Sequence, residues 1–135
     1  MYKHILVPVA FDEDHDPSEA VAIAGRLIAD DGQVSLLHVM ASVPNYVINY
    51  VPEGFQREAQ TAIVASLEAM GADLPNARGV VLEGSAGRSL VKWAAREGVD
   101  CIVMASHRPG VQDIVLGSTA SQVVRHATCA VHVTR

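Results

Sequence analysis

Aromatic side chains are scarce in this chain: one Trp, three Tyr and two Phe among 135 residues. Stacked rings therefore cannot build the core. That task falls to Val, Ala, Ile and Leu within a sequence that is 50% hydrophobic, a bias that suits a buried parallel sheet under Ala-rich helices. Cysteine is nearly absent. Cys101 and Cys129 form no CxxC and each adjoins an apolar strand run, so a disulfide framework is excluded and buried, reduced thiols are expected. Positive charge is thin and scattered: 10 Lys and Arg stand against 15 Asp and Glu, for a net charge of −5. This argues against a charge-driven nucleic-acid or anionic-membrane partner. No apolar run is long enough to span a bilayer, and Met1-Tyr2-Lys3-His4 leads straight into a strand without a signal-peptide pattern. A single domain over residues 1–135 with a cytoplasmic location is the expectation.

What is present alternates strand and helix. Ile5-Leu6-Val7-Pro8-Val9 is a short, wholly apolar run that reads as a strand buried on both faces. Asp16-Pro17-Ser18-Glu19 offers a cap, a proline at the first helical position and a capping-box glutamate. The helix so begun carries Ala20, Ile23, Ala24 and Leu27 and is expected to end at Asp31-Gly32. A second strand follows over 34–40, then an unusually apolar loop over 44–52 with Tyr46, Ile48 and Tyr50, which reads as a lid or a subunit contact. A long helix closed by Gly71, a strand over 79–82, a helix capped by Ser85 and ending near Gly98, a strand over 101–104, a helix over 119–127 and a last strand over 130–133 complete the pattern. Such alternation implies an open α/β fold: five parallel strands, right-handed crossovers and helices on both faces.

Open parallel sheets bind ligands beyond the carboxyl ends of their strands, where the winding reverses. That rule points to a crevice between Pro8-Val9-Ala10-Phe11 and Met104-Ala105-Ser106-His107. Downstream, Gly117-Ser118-Thr119 opens a helix. Gly117 lets backbone approach a phosphate, and the two hydroxyls sit where free N–H groups and the helix dipole favour an anion. The alternative is a plain helix start.

The stretch Ile102-Val103-Met104-Ala105-Ser106-His107-Arg108, with Leu116-Gly117-Ser118-Thr119-Ala120, Val123-Val124-Arg125-His126-Ala127 and Cys129-Ala130-Val131-His132-Val133, resembles the C-terminal signature of universal stress proteins. Ile5 to Val9 resembles that family's first strand, and the likeness runs over nearly the whole chain. The family's nucleotide-binding branch carries G-x-x-G-x9-G-[ST]. Here Ala105 and Arg108 hold the first two glycine positions, the spacer to Gly117 is eight residues, and Ala10 stands where the family has an aspartate. The A-S-H-R-P form resembles a subgroup variant of that motif.

The resemblance implies a Rossmann-like sheet of order 3-2-1-4-5 and an adenine nucleotide (ATP, with ADP or AMP as alternatives, and Mg2+ as a companion). Val9, Ala10 and Val39 would frame the base, flanked by Pro8 and Met104. Ala105, His107, Arg108, Gly110, Gly117, Ser118 and Thr119 would hold ribose and phosphates. It also implies a stress-response regulator working as a homodimer joined at the last strand through Ala130, Val131 and Val133.

Other chemistry finds little support. Gly84-Ser85-Ala86-Gly87-Arg88-Ser89 lacks the lysine and spacing of a phosphate loop. The six histidines show no metal-ligand spacing. Asp12-Glu13-Asp14-His15-Asp16 reads as a solvated run, and no nucleophile motif exists. The competing reading is a nucleotide-free dimeric interaction module of the same fold; at most, slow ATP hydrolysis or self-phosphorylation is expected.

Overall fold

The computed structural model describes residues 1–11, 16–105 and 116–135. Its elements run β1 (Tyr2–Pro8), α1 (Ser18–Leu27), β2 (Ile28–Met40), a 3₁₀ helix (Asn45–Tyr50), α2 (Phe55–Met70), β3 (Ala77–Glu83), α3 (Ala86–Arg96), β4 (Cys101–Ala105), α4 (Ser118–His126) and β5 (Ala130–Thr134). All ladders are parallel, and the sheet order is β3-β2-β1-β4-β5. This is the order implied by the resemblance, with β1 at the centre and β5 at one edge.

Ile5, Leu6 and Val7 are wholly buried because successive side chains of the central strand feed opposite faces. Ile5 and Val7 join Val34, Leu36 and Val103 under Ala20 and Ala24 of α1 and Leu67 of α2. Leu6 joins Leu37, Ile102 and Met104 under Leu90, Trp93 and Ala94 of α3 and Ala120 and Val123 of α4. Each such aliphatic side chain contributes about 1.5–3 kcal/mol by leaving water. Small residues on the helices and on the sheet let the layers approach closely. Gly79 is the clearest case: a Cβ there would lie 2.9 Å from both Leu67 Cβ and the Val64 carbonyl oxygen of α2.

The boundaries depart from the sequence reading at two places. Helix α1 ends at Leu27, one turn before Asp31-Gly32, because Ile28 turns extended (φ −76°, ψ 140°) while its N–H still closes on Ala24 O. Ile28 then pairs with Tyr2, and residues 29–32 arch outward before pairing resumes at His4↔Gln33. The 2.8 Å ion pair of Lys3 Nζ with Asp31 lies at this arch. Asp16 does act at the start of α1, accepting the Ser18 N–H at 2.9 Å and the Ser18 hydroxyl at 2.6 Å, and these bonds hold its carboxyl below the usual range. Pro17 takes the cap position, however, and Glu19 closes no capping box. Ser85 occupies the cap position of α3 without a side-chain cap bond.

At the amino ends of the strands, the Asp100 carboxylate accepts the N–H groups of Lys3 (2.9 Å) and His4 (3.0 Å). The Asp100 N–H returns a bond to His4 O at 3.0 Å. That end of the sheet is closed by polar pairing.

Candidate functional site

The β1–β4 ladder contains only Ile5↔Cys101 and Leu6↔Ile102. Past that point each strand keeps its other partner: β1 stays with β2 through Pro8↔Leu37, and β4 stays with β5 through Ala105↔Thr134. The ladder between the two strands therefore ends before their carboxyl ends, at the point where the winding reverses, leaving Pro8-Val9-Ala10 on one side and Met104-Ala105 on the other. Pro8 is half-buried, Val9 buried and Ala10 exposed; across the gap Met104 is buried and Ala105 exposed.

Gly117 holds the cap position of α4, with φ −60° and ψ 159°, and its carbonyl accepts the Ser121 N–H at 2.8 Å. These angles suit any residue, so glycine is not needed here for backbone freedom. Among the described residues no side chain caps α4. Its first N–H groups thus have no partner within the helix, a setting that favours an anion. Ser118 is exposed and Thr119 half-buried at this start. His107, Arg108 and Gly110 lie outside the described residues, as do the acidic residues Asp12, Glu13 and Asp14.

Val39 is half-buried near the end of β2. Main-chain groups alternate sides along a strand. Since Leu37 O accepts the Val9 N–H at 2.8 Å, the N–H and C=O of Val39 also aim toward β1, past its last paired residue. The sequence-predicted base site therefore meets a donor–acceptor pair made of backbone. One further residue, His38, was missed from sequence. His38 Nδ1 donates to Val9 O at 2.8 Å, and Phe11 meets the His38 ring edge-on at 4.9 Å between centroids. The available signal was a lone imidazole inside the apolar run Leu36-Leu37-His38-Val39.

The loop after β2 forms a 3₁₀ turn whose Tyr46 and Tyr50 are 81% and 85% exposed. With the start of α2 it lines a shallow cavity of about 470 Å3, bounded by Val43, Ile48, Val51, Pro52, Glu53 and Arg57 among others. None of the predicted site residues lines it. Cys101 is buried and its thiol is pushed up to about 11, first by burial and then by the nearby Cys129 and Asp100. Burial likewise raises Cys129. Neither thiol is a nucleophile near neutral pH. Among the described residues no three His, Cys, Asp or Glu side chains gather as a metal site, and no helix is long and apolar enough to cross a membrane.

A doubly wound parallel sheet with its switch point between β1 and β4 defines a Rossmann-like α/β fold. The family model described as "Universal stress protein family" matches residues 1–135, and the chain belongs to that family. It is 31% identical over 142 residues to universal stress protein G of Shigella flexneri, covering 100% of both chains. The structure of universal stress protein UspA from Lactobacillus plantarum aligns with a TM-score of 0.73 and 26% identity, covering 99% of this chain and 98% of that one. Three more distant family structures share the fold and hold ligands of their own. A universal stress protein bound to cAMP has a TM-score of 0.72 at 17% identity, covering 99% of this chain and 97% of its own. The Archaeoglobus fulgidus protein bound to dAMP has 0.65 at 19%, covering 99% and 98%. An Arabidopsis thaliana protein bound to AMP has 0.61 at 17%, covering 97% and 90%.

Proposed function

We propose that this chain is an adenine-nucleotide-binding regulatory protein of the stress response, with ATP as ligand and a homodimer as working form. The observation that carries the reading is the parting of β1 and β4 after Leu6↔Ile102, beside the outward main-chain pair of Val39. One residue's N–H and C=O supply one donor and one acceptor. They match the Watson–Crick edge of adenine, whose ring nitrogen accepts and whose amino group donates. The ligands of the distant relatives point the same way. AMP, dAMP and cAMP differ in sugar or phosphate and share the adenine.

In this reading Val9, Ala10 and Val39 border the base. The start of α4, with Gly117, Ser118 and Thr119, takes the phosphates together with Ala105, His107, Arg108 and Gly110. If the nucleotide brings Mg2+, the acidic run Asp12-Glu13-Asp14-His15-Asp16 offers carboxylates that would hold it together with the phosphates. The dimer would form through the edge strand β5, where Ala130 and His132 are exposed beside half-buried Val131 and Val133.

A nucleotide-free interaction module is the second reading, favoured by Ala105 at the first glycine position of the motif and Ala10 at the aspartate position. Titration calorimetry separates the two. ATP is expected to bind with a free energy of about −7 to −9 kcal/mol, the micromolar range. No heat and no thermal shift at millimolar ATP, ADP or AMP would leave the module as the better account.

A further inference from the structure

Val9 leaves β1 with both main-chain groups engaged on β2. Its N–H donates to Leu37 O at 2.8 Å, and its carbonyl accepts from His38 Nδ1 at 2.8 Å. In an uninterrupted parallel ladder, a residue whose N–H meets Leu37 O would offer its own carbonyl to the N–H of Val39. Here the ladder stops at Pro8↔Leu37, and a side chain has taken the carbonyl. A carbonyl only accepts, so the imidazole carries its proton on Nδ1. Phe11 meets the same ring edge-on, 4.9 Å between centroids.

From this arrangement we infer that His38 is the positioning residue of the base site: its imidazole ends the β1–β2 ladder early and thereby spares the Val39 N–H for a purine. The inference rests on the reading that the crevice takes an adenine nucleotide. It adds the reason why a strand interior to the sheet has a main-chain donor to offer. Val39 lies between β1 and β3 in the order, where both edges would ordinarily be consumed. His38 acts through Val9 and Val39 rather than by touching the ligand.

The test uses the full chain with His38→Ala and His38→Asn. Asparagine sets an amide nitrogen near the position of Nδ1 and keeps the donor, whereas alanine frees the Val9 carbonyl for the Val39 N–H. Amide hydrogen exchange without ligand is expected to slow at least tenfold at Val39 in His38→Ala and to return to the native rate in His38→Asn. AMP affinity is expected to fall at least tenfold in His38→Ala, with a smaller preference for AMP over IMP, and to recover in His38→Asn. A merely structural role would lower the melting temperature of His38→Ala and leave both Val39 exchange and the AMP-to-IMP ratio unchanged. That result overturns the inference, as does a His38→Asn variant that matches His38→Ala. If the native chain binds no adenine nucleotide, the functional reading fails, and exchange at Val39 still decides on its own whether His38 ends the ladder.

Discussion

His4 Nε2 and the Ser35 hydroxyl lie 2.8 Å apart between neighbouring strands, both side chains buried. Proton placement follows from the partners. His4 Nδ1 donates to Glu97 O at 3.2 Å, so Nε2 accepts from Ser35, whose oxygen in turn accepts from Arg78 Nε at 3.2 Å. Arg78 also lies over Trp93 at 5.6 Å, and Trp93 meets His4 edge-on. A second proton on His4 would turn Nε2 into a donor, strand the Ser35 proton and set a cation near Arg78.

Stability should therefore fall in mild acid. Burial holds the His4 pKa below its usual 6.5 against the backbone bond to Glu97, which raises it; Arg78 lowers it further, and the charges of Asp100 and Glu97 oppose. Above pH 6.5 both folded and unfolded His4 are neutral and stability is full. As pH drops from there through the lower folded value, the unfolded chain takes the proton first and stability declines. Urea unfolding between pH 5 and 8 is expected to show this slope in the native chain and a shallower one in His4→Gln. Equal slopes would remove His4 as the cause.

Gly79→Ala should cost about 1–3 kcal/mol, because the new methyl meets backbone and a helix-fixed Cβ at 2.9 Å and neither can swing aside. Gly54→Ala is the contrast. Nothing lies near its missing Cβ, but φ is +82°, so its cost of about 1 kcal/mol comes from backbone conformation alone. Denaturant midpoints of the two variants check both. A neutral Gly79→Ala would show that α2 is free to lift from β3.

Gly117→Val, Ser118→Ala and Arg108→Ala ask whether this segment holds phosphates. Since Gly117 sits at φ −60°, valine strains no backbone there, and any binding loss reports on close approach. Ser118→Ala should cost about 1–3 kcal/mol of ATP affinity if its hydroxyl bonds a charged oxygen. Arg108→Ala should weaken ATP more than adenosine. Variants that fold and keep the native ATP-to-adenosine ratio would move the phosphates elsewhere.

Val131→Asp and Val133→Asp address the edge strand. Val131 packs partly against the Trp93 side of the core, so its change also lowers stability; Val133 is the companion with less core contact. Sedimentation at tens of micromolar is expected to show a native dimer and monomeric variants. A monomeric native chain ends the idea of a β5 joint.

The sheet was legible in the sequence because its strands are apolar on both faces and punctuated by turn residues, as in Ile5 to Val9 and Cys101 to Met104. The end of α1 was not. Leu27 and Ile28 continue a helical spacing, and only pairing with Tyr2 across the chain draws Ile28 into β2. The switch point between β1 and β4 followed from strand order, and the start of α4 at Gly117 from its place before a helical run. His38 escaped notice because its role is to bond a carbonyl 29 residues away, and no local pattern encodes that. Val39 was named for its position, but the direction of its N–H depends on where the neighbouring ladder stops.

The place where the β1–β2 ladder stops has a consequence for mutational screens of this protein. On the proposed adenine-binding reading, the recognition edge is made of peptide groups and is carried by the path of the chain, so most side-chain replacements leave it in place. Random substitution along β2 should therefore yield unfolded proteins far more often than folded proteins blind to adenine. The informative exceptions are chemical rather than steric. Val39→Pro deletes the donor outright, and a backbone ester in place of the Val39 amide deletes the same proton while leaving every side chain as it was.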